Sequence, residues 1–171
     1  MKKYLFYILP FTFYIFLIGC GYKPSSYYQK NIIGNKIDVI VNIDVKQPQE
    51  NVFLKDALNE AIYTLFGSYI SNKNANTTIN LTILSSSLNA LDYDENGYPI
   101  LYRSSVTLQA DITDKNNKKR TYSVNGTYDF ATSPNSVIND QIKLNAFKRA
   151  SINALNKLIA LITKDGINES K

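Results

Sequence analysis

Residues 92–130 read DYDENGYPILYRSSVTLQADITDKNNKKRTYSVNGTYDF. After the polar turn at 92–97, Ile100, Tyr102, Val106, Leu108, Ala110 and Ile112 fall on one side, against Arg103, Ser105, Thr107, Gln109 and Asp111 on the other. Period two is the signature of a strand buried on one face only. The run DKNNKK (114–119) is a second polar turn, and beyond it Tyr122, Val124, Gly126, Tyr128 and Phe130 keep the same period. Upstream, residues 77–84 alternate through Ile79, Leu81 and Ile83. Three such strands joined by short turns predict an antiparallel meander.

Working outward, residues 36–46 alternate through Ile37, Val39, Val41, Ile43 and Val45, with Ile40 as the one apolar exception on the polar side. Gln47-Pro48-Gln49 breaks this strand, and Asn51 is placed to cap a helix in which Leu54, Ala57, Leu58, Ala61, Ile62, Leu65, Phe66 and Tyr69 recur at three and four. Past the meander, Ser133-Pro134-Asn135-Ser136 supplies a breaker and a cap. A long helix follows through Leu144, Phe147, Ala150, Ala154, Leu155, Leu158, Leu161 and Ile162, stopping before Asp165-Gly166. The order β-α-β-β-β-α predicts an α+β domain over residues 36–164. Two amphipathic helices cover one face of a four-stranded, mostly antiparallel sheet, the other face stays wet, and 165–171 forms a C-terminal tail.

The N-terminus reads as an address. Lys2 and Lys3 precede a run of 15 residues, 4–18, interrupted only by Pro10 and Thr12. Such a run suits a secretory signal and is short for a membrane span, which takes about 20 apolar residues. It closes on Leu17-Ile18-Gly19-Cys20, which resembles the bacterial lipoprotein signal. The small Gly19 admits a peptidase, and the Cys20 thiol is the group able to carry a lipid thioether. The expected processing removes residues 1–19 and leaves a lipidated Cys20 on a tether, 20–35. Several acyl chains at about 0.8 kcal/mol per buried methylene make such an anchor effectively permanent. Gly21 in place of Asp after the Cys favours the outer membrane.

Composition removes most chemistry. Among 171 residues there is no His, no Trp and one Cys, so His-based triads, Cys/His zinc sites and an internal disulfide are excluded. Removing Lys2 and Lys3 from the 19 cations leaves 17 against 14 acids. That excess is too small for a nucleic-acid binder, but it suits an acidic partner touched at one place. Asp92, Asp94, Asn96 and Gly97 match the opening of a calcium loop, yet Arg103 stands where its bidentate Glu belongs. A tight turn explains the same residues. No paired carboxylates or Ser–base motif stand out, so neither an enzyme nor a metal or other cofactor is expected. Lys115, Lys118, Lys119 and Arg120 place four cations around one turn beside Asp114. They read either as a solvated hairpin tip or as a clamp for phosphate groups. Thirteen Tyr residues, among them Tyr22, Tyr27, Tyr28, Tyr93 and Tyr98 in the tether and turns, suit a partner interface or an ordinary Trp-free surface.

With these segments placed, the chain resembles the LPS-assembly lipoprotein family (LptE-like). The resemblance is carried by Cys20-Gly21-Tyr22-Lys23-Pro24-Ser25, Leu54-Lys55-Asp56-Ala57-Leu58-Asn59-Glu60-Ala61, Tyr102-Arg103-Ser104-Ser105-Val106-Thr107-Leu108, and Tyr128-Asp129-Phe130 with the helix after it. It implies an outer-membrane lipoprotein seated as plug and assembly partner in the β-barrel LPS translocon (LptD-like), with lipopolysaccharide or lipooligosaccharide as its ligand. Only Cys20 carries over residue by residue, as the lipid anchor. Two other readings stay open. A regulator of a peptidoglycan synthase calls for a longer tether, and a periplasmic lipid or lipoprotein carrier calls for an enclosed apolar cavity.

Overall fold

The computed structural model describes residues 36–43, 48–66, 69–71, 75–114, 116–133 and 136–169. The elements run β1 (Ile37–Ile43), α1 (Pro48–Phe66), β2 (Thr77–Tyr93), β3 (Pro99–Thr113), β4 (Lys119–Ala131) and α2 (Asp140–Glu169). One four-stranded sheet has the order β1-β2-β3-β4. The β2–β3 and β3–β4 pairs are antiparallel, while β1 lies parallel to β2 from Ile37 opposite Thr77 to Ile43 opposite Ile83. Parallel neighbours need a crossover, and α1 is that crossover. The α+β fold of the expected order is therefore present, as a mixed sheet.

Both helices lie on one face. Alternate residues of the strands, among them Ile79, Leu81 and Ile83, Val106, Leu108, Ala110 and Ile112, and Tyr122 and Val124, are buried against Leu58, Ile62, Leu155, Leu158 and Ile162. α2 packs across β3 and β4 and against α1, which sits beside β1. Helix and sheet come very close at Gly126 of β4. A Cβ built there would stand 2.0 Å from the Ala150 carbonyl oxygen and 2.3 Å from the Ala154 nitrogen. Ala150 and Ala154 are fully buried, so three small residues let helix backbone rest directly on strand backbone.

Several boundaries differ from the expectation, each for a local reason. α1 begins at Pro48 instead of after Asn51, because the first helical turn has no use for the N–H that proline lacks. It ends at Phe66, and exposed Tyr69 instead lends its carbonyl to the Ile37 N–H at 2.9 Å. α2 is capped by Asn139, whose Oδ1 accepts from the Ile142 N–H at 2.9 Å, and not from within 133–136. It then continues through Gly166 to Glu169, past the expected stop. The Tyr122 hydroxyl donates to Asp165 Oδ2 at 2.8 Å, tying that last part of the helix to β4. Leu161, expected in the core, is partly exposed. β2 runs nine residues beyond the alternating stretch. A bulge between Ile83 and Ser85 shifts its register, and pairing with β3 carries it on to Tyr93. The part of the first strand expected at 44–46 lies outside the described residues.

Candidate partner-facing surfaces

The two hairpin turns share one construction. In the β3–β4 turn, Asp114 Oδ1 accepts from the backbone N–H of Asn116 (2.8 Å) and Lys118 (3.0 Å), and Asn117 adopts φ 59°. In the β2–β3 turn, Asp94 Oδ1 accepts from Asn96 (2.9 Å) and Tyr98 (2.8 Å), and Gly97 adopts φ 81°. An Asp that caps its own turn and a fourth residue in the left-handed region close each loop. The Asp94 carboxylate is thus committed to backbone, which accounts for its place in the calcium-like motif. Among the described residues no cluster of three metal-ligating side chains occurs.

What differs between the turns is charge. The β2–β3 tip carries Asp92, Asp94 and Glu95, along with exposed Leu91, Tyr93 and Tyr98. The β3–β4 tip carries the cations. Lys118 and Lys119 are exposed there. Arg120 turns inward, its Nη1 3.4 Å from Asp114 Oδ2, with the two side chains only 11% and 12% exposed. It braces the turn. Burial raises the Asp114 pKa, but the N–H groups of Lys118 and Asn116 and the Arg120 guanidinium outweigh it and hold the carboxyl below its ordinary value. Lys115 and Cys20 lie outside the described residues.

The sheet face turned away from the helices is polar and paired to itself. Arg103 and Asp129 stand directly opposite each other across β3 and β4. They form a two-pronged pair, Nε to Oδ1 at 2.7 Å and Nη2 to Oδ2 at 2.6 Å. The hydrogen bonds from Arg103, then its charge, lower the Asp129 pKa, and the same contacts raise that of Arg103. Further along, Thr121 donates to Asp111 Oδ1 at 2.6 Å and Gln109 to Asp111 Oδ2 at 3.1 Å. Asn125 donates to the Thr107 hydroxyl at 3.1 Å. Ile40, the apolar exception of β1, is exposed on this face, at 44%.

A groove of about 820 Å³ that sequence reasoning missed opens between the C-terminal end of β4 and the first half of α2. Its walls include Thr64, Tyr128, Phe130, Ile142 and Arg149. Tyr102, Phe130 and Tyr128 stack in succession, with ring centroids 5.7 and 6.0 Å apart, and the Arg149 guanidinium lies 5.2 Å from the Tyr128 ring centre. The signal was available: strand period two puts Tyr128 and Phe130 on one face, and register sets Tyr102 opposite Phe130. Lys148, beside it, is paired with Glu60.

A model of a family described as lipopolysaccharide-assembly, LptE, matches residues 40–162. The chain belongs to the LptE family. The match takes in every element from β1 to most of α2, and the family's role, lipopolysaccharide assembly, is not a catalytic one. Solved structures with the same arrangement include a protein from Caulobacter crescentus described as a lipoprotein, with a TM-score of 0.53 at 10% identity, covering 85% of this chain and 98% of that one. Rare lipoprotein B from Shewanella oneidensis has a TM-score of 0.46 at 12% identity, covering 78% and 99%. A minor lipoprotein from Acinetobacter baumannii has a TM-score of 0.43 at 13% identity, covering 77% and 92%. No curated protein matches the sequence. Within the LptE family, then, this chain keeps the α+β domain and carries oppositely charged turns at its two ends.

Proposed function

We propose that the chain is an outer-membrane lipoprotein, anchored through Cys20, that acts as plug and assembly partner of a β-barrel lipopolysaccharide translocon and helps insert lipopolysaccharide into the outer leaflet. The family match over residues 40–162 carries this reading. The surface chemistry supports it. Barrel lumens are polar, and a plug has to be rigid within and hydrophilic without. Here the open sheet face pairs Arg103 with Asp129, and its Asp111 accepts from Thr121, which keeps the face wettable.

The exposed ammonium groups of Lys118 and Lys119, with Lys115 beside them in sequence, suit a phosphate-bearing lipid, and Arg120 holds the turn that presents them. The chain belongs to a non-catalytic role in this reading: it positions, and it covalently changes nothing.

The test is co-purification. The tagged full chain, expressed in its native host and extracted with mild detergent, should bring down a large barrel protein in near-equal amount, together with lipopolysaccharide. Recovery of a peptidoglycan synthase with no barrel overturns the reading. So does a chain recovered alone with phospholipid held inside it.

A further inference from the structure

The anchor reading of Cys20 has a geometric consequence when set beside the sheet register. Residue 37, where the described chain enters the sheet, stands opposite Thr77. Thr78 stands opposite Thr113, and Thr113 opposite Lys119. The Lys36 carbonyl accepts from the Asn76 N–H at 2.8 Å. The entry point and the β3–β4 turn therefore share one rim of the sheet, three strand spacings of about 4.8 Å apart. Lys36, Lys118, Lys119 and Lys164 are exposed at this end, where Asp114 is held by Arg120 and Asp165 by Tyr122. The opposite rim carries the acidic 92–95 tip. The two hairpin tips thus differ in sign, and the basic one shares the rim at which the described chain begins.

Tether length fixes which pole meets the lipid. Residues 21–35 reach at most about 50 Å when fully extended, and β3, 15 residues long, spans about the same distance. Turning the acidic rim to the membrane would take nearly the whole tether, whereas the basic rim sits there with slack. We propose that the basic turn docks on the anionic phospholipid headgroups of the leaflet that holds the Cys20 lipid, and so sets the domain upright with its acidic tip pointing away. This rests on the anchor reading and goes beyond it: the turn's phosphate partner is the supporting membrane, not the lipopolysaccharide being moved. A plug entering its barrel acid end first would leave the basic rim at the mouth, level with that leaflet.

The test uses the full chain from a lipid-modifying host, with acylation of Cys20 read by intact mass. It is reconstituted in vesicles of phosphatidylcholine alone, with about one-third phosphatidylglycerol, or with lipopolysaccharide. A water-soluble amine acylating reagent then reports each lysine by peptide mass. In phosphatidylglycerol vesicles, Lys118 and Lys119 should label about fivefold more slowly than in phosphatidylcholine. Lys55 and Lys143 should be unchanged, and 0.5 M salt should abolish the difference. Equal labelling of the turn in both vesicles overturns the inference, as does protection by lipopolysaccharide and not by phosphatidylglycerol. An unacylated Cys20 overturns the anchor reading itself, and this inference with it; acylated protein with an unprotected turn overturns this inference alone.

Discussion

Gly126 is the residue on which the packing turns. Because a Cβ there would overlap the backbone of Ala150 and Ala154, no side-chain rotation relieves the clash and α2 has to move off β4. Gly126→Ala should cost about 3 kcal/mol or more, read as a lower urea midpoint. Gly97→Ala is the matched control: φ is 81° but nothing lies within 4 Å of the new atom, so the cost is the left-handed backbone alone, about 1 kcal/mol. Equal losses would mean that the helix is not seated on Gly126. The Arg103–Asp129 pair makes a different prediction. Its folded carboxyl has a pKa below the ordinary value, so its contribution is present above the unfolded pKa of about 4 and is lost as pH falls through the lower folded value. The stability gap between the natural chain and Asp129→Asn should therefore be constant near neutrality and close under acid. The pair is 46% and 41% exposed, so the gap should also shrink in salt. A gap unchanged down to pH 2 would assign the loss to something other than this pair.

At the scale of elements, β2 is two structures in one strand. From Thr77 to Ile83 alternate residues are buried, but past the bulge none is. Native-state hydrogen exchange should find the amides of 86–93 opening at least about tenfold faster than those of 79–83, and equal protection would mean that a partner or second layer covers the distal hairpin. This division also explains how much could be read beforehand. Where one face is buried, period two is strict, and the strands around Ile79, Val106 and Val124 were legible from that alternation. Ser85-Ser86-Ser87 carries no periodic signal, and only the register with β3 shows that the strand continues. The helix ends were misread in the same way: Pro48 and Gly166 are breakers in isolation, overridden here by position and by the Tyr122–Asp165 bond. The candidate site was legible as composition, four cations around one turn, but not as geometry. The inward turn of Arg120 depends on how the hairpin brings it back onto Asp114, and the shared rim with Lys36 depends on long-range pairing that local sequence does not encode.

For the molecule as a whole, the parallel seam between β1 and β2 sets an order of assembly. The β2–β3–β4 meander closes through turns of a few residues. β1 meets β2 only across the connection 44–76, which contains α1. Loop closure of that size is entropically dearer, so it comes late on the folding path. Val39→Ala should then speed unfolding and leave refolding nearly unchanged, while Leu108→Ala should slow refolding; stopped-flow rates showing the reverse would place β1 in the nucleus. A chain threaded through a pore N-terminus first presents its earliest strand to an environment that does not yet contain that strand's partners. Until residue 83 has followed, Val39 and Val41 of the first strand have no neighbouring strand beside which to be covered.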